Sequence, residues 1–112
     1  MKYLLDHIKK EIKLHSLEED PNECCGLILE IDKDLRIMKC KNISKDKLNN
    51  FEIGPHDYLR GEKRGKIKAY YHSHPNDEIG TFSDIDKKVS LGHGIPLIMY
   101  SIKNNKFFEY IS

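Results

Sequence analysis

The sequence predicts an α/β fold of the α+β kind, in which a single mixed β-sheet is flanked by helices. Three observations support this class. The chain begins with an amphipathic helical pattern, continues with two short runs typical of a β-hairpin, and then alternates predicted strands with predicted helices. Because 112 residues leave room for one hydrophobic core, we expect a single domain over residues 1–112.

The first part of the chain predicts a helix followed by the hairpin. Apolar side chains recur at near-helical spacing over residues 2–17, with charged residues between them, as in an amphipathic helix. Residues 24–31 have the length and apolar character of a strand. After a predicted turn at residues 32–34, the alternating pattern of residues 35–40 predicts the second strand of the hairpin.

The second part of the chain alternates strands and helices. Its predicted elements are, in order, a short strand at 51–53, a helix at 56–64, a strand at 67–72, a helix at 83–91, and strands at 96–101 and 107–111. Gly65 is expected to end the second helix, and Ser83 is expected to cap the third.

Composition excludes several classes of function. Lys and Arg total 19 against 18 Asp and Glu, so we expect no general attraction for nucleic acid or anionic membranes. No long apolar run or signal peptide is visible, which favours a cytoplasmic protein. Three cysteines do not form a disulfide framework, and we expect them to be small core residues in a reducing compartment.

The most informative stretch is the pair of histidines that ends the strand predicted at 67–72. His72 and His74 would share one face of a strand, with Cα atoms about 6.6 Å apart, close enough for both to bind one metal ion. Pro75 would end the strand there. Asp86, in the first turn after Ser83, could direct a carboxylate at the histidines. Two histidines and a carboxylate are typical ligands of a catalytic Zn²⁺.

These motifs resemble a known family. His72-Ser73-His74-Pro75 followed by Ser83-x-x-Asp86 resembles the signature of the JAMM metalloproteases, the catalytic members of the JAB- or MPN-domain family. The resemblance covers nearly the whole chain and implies a small curved sheet similar to that of the cytidine deaminases. The loop from Pro75 to Phe82 is one residue longer than is usual in the family, so Asp84 is an alternative ligand to Asp86.

The resemblance also implies the roles of the remaining site residues. Residues 21–29 look like the usual setting of the family's essential glutamate, which would make Glu23 the general acid and base. Ser83 would help stabilise the oxyanion as well as cap its helix. The implied enzyme is a zinc-dependent peptidase or isopeptidase, whose substrate would be a peptide or protein, often one with a glycine-containing, ubiquitin-like tail.

Residues 49–53 and 55–59 are similar to the JAB half of bacteriophage tail assembly proteins. This similarity implies a role in tail assembly or in processing a tail protein, and a virion-associated location if the chain is of phage origin. Because such relatives often carry an NlpC-type cell-wall peptidase domain, a separate partner peptidase of that type is also implied.

Other functions remain open alternatives. Inactive members of the same family act as scaffolds, so a metal-stabilised binding module is possible. A nucleobase deaminase would need H-x-E with P-C-x-x-C, which the sequence lacks. A TIM-barrel hydrolase would need about 250 residues. A cysteine hydrolase using Cys24 or Cys25 is compatible with composition, but the histidines are better explained as metal ligands.

Overall fold

The computed structural model describes residues 2–75 and 94–111. Within them the chain forms α1 (Asp6–Glu19), β1 (Cys25–Ile31), β2 (Asp34–Cys40), α2 (Pro55–Arg64), β3 (Lys66–His74), β4 (Leu97–Ser101) and β5 (Lys106–Tyr110). The five strands form one sheet in the order β2-β1-β3-β4-β5. Strands β3 and β4 are parallel, and the other neighbours are antiparallel. The predicted mixed sheet flanked by helices is therefore confirmed.

Helix α1 begins later and ends later than the sequence pattern predicts. Leu5 has extended backbone angles and precedes the first helical residue, so the helix begins at Asp6 instead of residue 2. Leu14 lies within the predicted apolar pattern of residues 2–17, but it is 54% exposed. With a period of 3.6 residues, Leu14 falls outside the buried face of the helix. Its buried members are Ile8, Ile12, His15 and Ser16.

The β1–β2 hairpin has a two-residue turn. Strand β1 ends at Ile31 and β2 begins at Asp34, so Asp32 and Lys33 form the loop. Both have positive φ values, 50° and 72°, as a type I′ turn requires. The other edge of β1 pairs with β3, with one irregularity between Ile28 and Leu29. Strand β1 thus lies between β2 and β3, and both of these neighbours are antiparallel to it.

The sheet carries a packed core on each face. The first face packs against α1, and its buried residues are Leu4, Ile8, Ile12, Cys24, Ile28, Ala69, Tyr71, Ile98 and Tyr100. The second lies on the side of α2, and its buried residues are Cys25, Leu27, Leu29, Met38, Cys40, Phe51, Tyr70 and Leu97. Successive residues of one strand alternate between these cores, as the pleat requires. We call the two sides the α1 face and the α2 face.

The remaining predictions are partly confirmed. The predicted strand at 51–53 is reduced to an isolated bridge between Asn42 and Ile53. Gly65 follows α2 as expected, and a Cβ atom there would lie 2.6 Å from the carbonyl oxygen of Glu30. The predicted helix at 83–91 lies outside the described residues. Within the described ranges, no helix has the length and apolar character needed to cross a membrane.

Candidate metal centre

The two histidines at the end of β3 converge on one point. His72 and His74 alternate with Ser73, so both side chains lie on the α2 face. Their Nε2 atoms are 3.0 Å apart, and their rings meet edge to face with centroids 4.8 Å apart. Both side chains are buried. The strand therefore brings two imidazole nitrogens together, as the spacing predicted.

His72 is held from two sides. Its Nδ1 atom lies 3.1 Å from the carbonyl oxygen of Ile98 on the neighbouring parallel strand. Because a carbonyl only accepts hydrogen bonds, Nδ1 carries a proton, and in the neutral form of the ring the lone pair then lies on Nε2. The ring of Phe51 stacks on His72 with centroids 4.5 Å apart. These contacts fix both the tautomer and the plane of the ring, as in metal-binding histidines.

Glu23 reaches the same point from a position two residues before the neighbouring strand β1. Cys25 pairs with His72 in the antiparallel register of β1 and β3, and continuing that register places Glu23 opposite His74. The Glu23 Oε2 atom lies 3.9 Å from His74 Nε2. Glu23 is only 3% exposed, which is unusual for a carboxylate without a functional or pairing role. The register of the sheet therefore explains how a residue about fifty positions away joins the histidines.

The backbone on either side of the site is tied down. The Glu23 N–H donates to the carbonyl oxygen of Lys47 at 2.7 Å. The Cys24 N–H donates to Ser73 Oγ at 2.9 Å, and the Ser73 N–H donates to the Cys24 carbonyl at 3.1 Å. Ser73 thus points away from the histidines and joins two strands. These bonds give Ser73 a structural role.

The donor set fits a metal ion. The side chains of Glu23, His72 and His74 each offer one ligand atom, and these atoms lie within 4.8 Å of one another. Two imidazole nitrogens bound to a tetrahedral zinc ion, each at about 2.0–2.1 Å, would be about 3.3 Å apart. The observed 3.0 Å separation is close to that value. The group can therefore hold a metal ion after a small adjustment.

Of the predicted site residues, the structure brings together Glu23, His72 and His74. Ser83, Asp84 and Asp86 lie outside the described residues, so the predicted ligand and oxyanion roles stay predictions. Sequence reasoning missed Phe51 and the Ile98 carbonyl. An apolar residue in a short strand and a main-chain oxygen carry no sequence signal that distinguishes them from ordinary core components.

The three cysteines offer no nucleophile at this site. All are buried and free, which confirms the prediction that they are core residues. Burial raises the pKa of Cys24 to about 12 and that of Cys40 to about 12, and it also raises the pKa of Cys25. A thiol with so high a pKa has almost no reactive thiolate near neutrality. Cysteine hydrolase chemistry is therefore disfavoured.

Comparison with known proteins identifies the family of the chain and supports its fold. A family model described as prokaryotic homologues of the JAB domain, Prok-JAB, matches residues 6–110. The Tail tip assembly protein K of Escherichia phage N15 is 36% identical over 76 residues, which are 68% of this chain and 31% of that protein. The chain thus spans about a third of the length of this curated relative.

Two solved structures share the fold. A solution structure of a protein from Desulfitobacterium hafniense matches with a TM-score of 0.74 at 21% identity. The match covers 93% of this chain and 77% of that protein's chain. A solution structure from Salinibacter ruber has a TM-score of 0.60 at 20% identity, with 96% and 79% covered. Because the family model spans almost all of the sequence, the chain belongs to the family of prokaryotic JAB-domain homologues.

Proposed function

We propose that this JAB-domain chain is a zinc-dependent peptidase or isopeptidase, with residues 1–112 acting as one catalytic domain. The observation that carries the proposal is the buried convergence of His72, His74 and Glu23. Two Nε2 atoms 3.0 Å apart, with a carboxylate oxygen 3.9 Å from one of them, bring three possible metal-ligand atoms to one buried point. The two imidazole nitrogens would hold the metal ion, and the carboxylate beside them would be placed to accept a proton.

The chemistry follows from the donor types. A bound Zn²⁺ would polarise the scissile carbonyl and lower the pKa of a water molecule towards about 7. The Glu23 carboxylate would accept a proton from the attacking water and then donate it to the departing amine as the C–N bond breaks. His72 is already oriented for ligation, because the Ile98 carbonyl occupies its other nitrogen.

We assign the third ligand to Asp86 and oxyanion stabilisation to Ser83. Both assignments rest on the spacing Ser83-x-x-Asp86 after the two histidines. Asp84 is the alternative ligand, and the zinc contents of the Asp84→Ala and Asp86→Ala variants distinguish the two. A hydroxyl directed at developing negative charge is worth a factor of about 10² or more in rate.

We further propose a protein of a phage tail, or another protein with a glycine-containing or ubiquitin-like tail, as the substrate. The relative from Escherichia phage N15 is named as a tail tip assembly protein, which supports the first choice. An NlpC-type peptidase would then be a partner, carried on another chain or elsewhere on the same one, and the protein would be cytoplasmic or virion-associated. Near-neutral net charge supports neither nucleic acid nor membrane as a partner.

The decisive experiment compares Glu23→Gln with Glu30→Gln, the same change at the far end of β1. We expect about one zinc per chain in both variants by elemental analysis, since the histidines are intact. Hydrolysis of peptide and isopeptide substrates should fall by about 10²–10⁴-fold in Glu23→Gln, because the proton carrier is lost, and stay unchanged in Glu30→Gln. Equal activity in the two variants would contradict the role of Glu23.

The second candidate is a metal-stabilised module that assembles without catalysis. The name of the phage relative, which refers to assembly, favours it. A zinc-loaded wild-type protein that cleaves no peptide or isopeptide bond but unfolds at lower temperature after chelation would support this module over the peptidase.

A further inference from the structure

The segment between β2 and α2, residues 41–54, packs against His72 and Glu23 of the metal centre. We call it the β2–α2 connection. It supplies Phe51, which stacks on His72, and the Lys47 carbonyl, which accepts the Glu23 N–H. Residues that contact Glu23 and His72 thus come from a stretch with little regular secondary structure, closed by the bridge between Asn42 and Ile53. Such a stretch needs internal hydrogen bonds to keep one shape.

The Asn42 side chain makes four hydrogen bonds in and beside this connection. The Asn42 Nδ2 group donates to the Glu23 carbonyl at 2.9 Å and to the Asn50 carbonyl at 3.0 Å. Its Oδ1 accepts from the Ser44 N–H at 3.0 Å and from the Glu52 N–H at 3.1 Å. A primary amide has two donor hydrogens and two acceptor lone pairs, so Asn42 uses its full capacity.

These bonds connect the two sides of the site. The Nδ2 group holds the main chain of Glu23, and the remaining bonds hold the residues before and after Phe51, which are Asn50 and Glu52. Both main-chain polar groups of Glu23 are thereby bound to the β2–α2 connection, through Asn42 and Lys47. The position of the carboxylate and the position of the stacking ring therefore depend on the same amide.

We infer that Asn42 is a positioning residue of the metal centre, which sets Glu23 relative to His74 and holds Phe51 against His72. The inference rests on the proposed function for its effect on rate, but its structural part holds for any use of the site. Residues that orient metal ligands or their neighbours typically change metal affinity or activity by about 10–100-fold when substituted.

The test uses two variants that remove different sets of the Asn42 hydrogen bonds, together with a matched control. Asn42→Asp keeps an acceptor for the Ser44 and Glu52 amides but places an oxygen against the Glu23 carbonyl. Asn42→Ala removes all four bonds. The control is Asn49→Ala in the same connection, whose side chain bonds Asp46. If Asn42→Ala fails to fold, the Asp variant still tests the link to Glu23.

The first measurement needs neither metal nor activity. In the metal-free protein, amide hydrogen exchange by NMR should accelerate at Glu23 by about tenfold or more in Asn42→Asp, relative to amides of α1. Exchange at Glu52 should stay slow in that variant. Unchanged exchange at Glu23 in both Asn42 variants would overturn the inference, whatever the protein catalyses.

The second measurement separates positioning from general stability. We expect about one zinc per chain in Asn42→Asp, an altered visible spectrum of the cobalt-substituted protein, and kcat lowered by about 10–100-fold with unchanged KM. Asn49→Ala should match the wild type in all three. Faster exchange at Glu23 with unchanged kcat in an active enzyme would overturn the inference. Faster exchange and an altered cobalt spectrum in a protein without hydrolytic activity would support it and contradict only the peptidase.

Discussion

Strand β3 serves two purposes through its two faces. On the α1 face, Tyr71 and Ser73 are buried in a closed core with their polar atoms bonded to other protein groups. On the α2 face, His72 and His74 direct ligand atoms at each other. The six consecutive buried residues of β3 thus include a structural face and a face that carries the candidate metal ligands, because side chains alternate along a strand. Burial alone does not distinguish the two faces of the strand. The groups that the buried polar atoms contact do distinguish them.

The buried histidines make the same distinction. His15 on α1 is 3% exposed, and its Nδ1 atom lies 2.7 Å from the hydroxyl of Tyr71. Its Nε2 atom faces Glu19 at 4.0 Å. The two nitrogens of His15 thus face two separate groups, a hydroxyl and a carboxylate, whereas the Nε2 atoms of His72 and His74 converge on one point beside the Glu23 carboxylate. We therefore interpret His15 as a core histidine and the β3 pair as ligands.

The largest expected effect is loss of the metal from the α2 face. In His74→Ala one of two imidazole ligands is gone, so zinc affinity should fall by well over about 10²-fold, as measured by competition with a chelator. The neighbouring substitution Ser73→Ala is the control. It should keep the metal but cost about 1–3 kcal/mol of unfolding free energy, because the Cys24 N–H loses its acceptor. Equal metal loss in both variants would contradict the division of the strand into two faces.

A glycine on each face offers a second comparison. A Cβ atom at Gly26 would overlap the Tyr71 ring and hydroxyl, and one at Gly61 would overlap a methyl group of Leu27. The Tyr71 ring is rigid and bonded to His15, so Gly26→Ala should lower the unfolding free energy by about 1–3 kcal/mol in denaturant titrations.

Gly61→Ala should be close to neutral in the same titrations. The Leu27 methyl can move, and alanine gains about 1 kcal/mol of helix propensity over glycine in α2. A larger loss in Gly61→Ala than in Gly26→Ala would show that the α1 face is the more tolerant one.

The smallest expected effect is a pH dependence from the α1 face. Burial, with a smaller effect of Lys39, holds the pKa of His15 below 6.5, although Glu19 and Glu18 oppose the shift. The unfolded chain therefore binds a proton at higher pH than the folded one, so stability is complete above 6.5 and declines as the pH falls from there towards the lowered pKa.

In metal-free protein, urea titrations of wild type and His15→Gln at about pH 7.5 and about pH 5.5 isolate this contribution. The loss of stability on acidification should be smaller in the variant. An identical loss in both proteins would mean that His15 does not titrate differently on folding.

Several elements of the fold follow from local patterns. Alternation and turn chemistry predicted β1, β2 and β4 within one or two residues, because a buried strand needs a short apolar run and a hairpin needs a turn. The predicted start of α1 is four residues too early, because Tyr3 and Leu4 pack against the core of the α1 face without being helical. Local pattern predicts which residues are buried better than where an element begins.

By itself, the sequence determined the face shared by His72 and His74, since a strand has a period of two whatever surrounds it. It also predicted that the three cysteines form no disulfide framework, and all three are free. Only the tertiary structure decided that Glu23 lies opposite His74, that the Ile98 carbonyl fixes the tautomer of His72 and that Asn42 bonds the main chain of Glu23. These contacts join residues distant along the chain, and their geometry depends on strand register and connection shape, which no local pattern specifies.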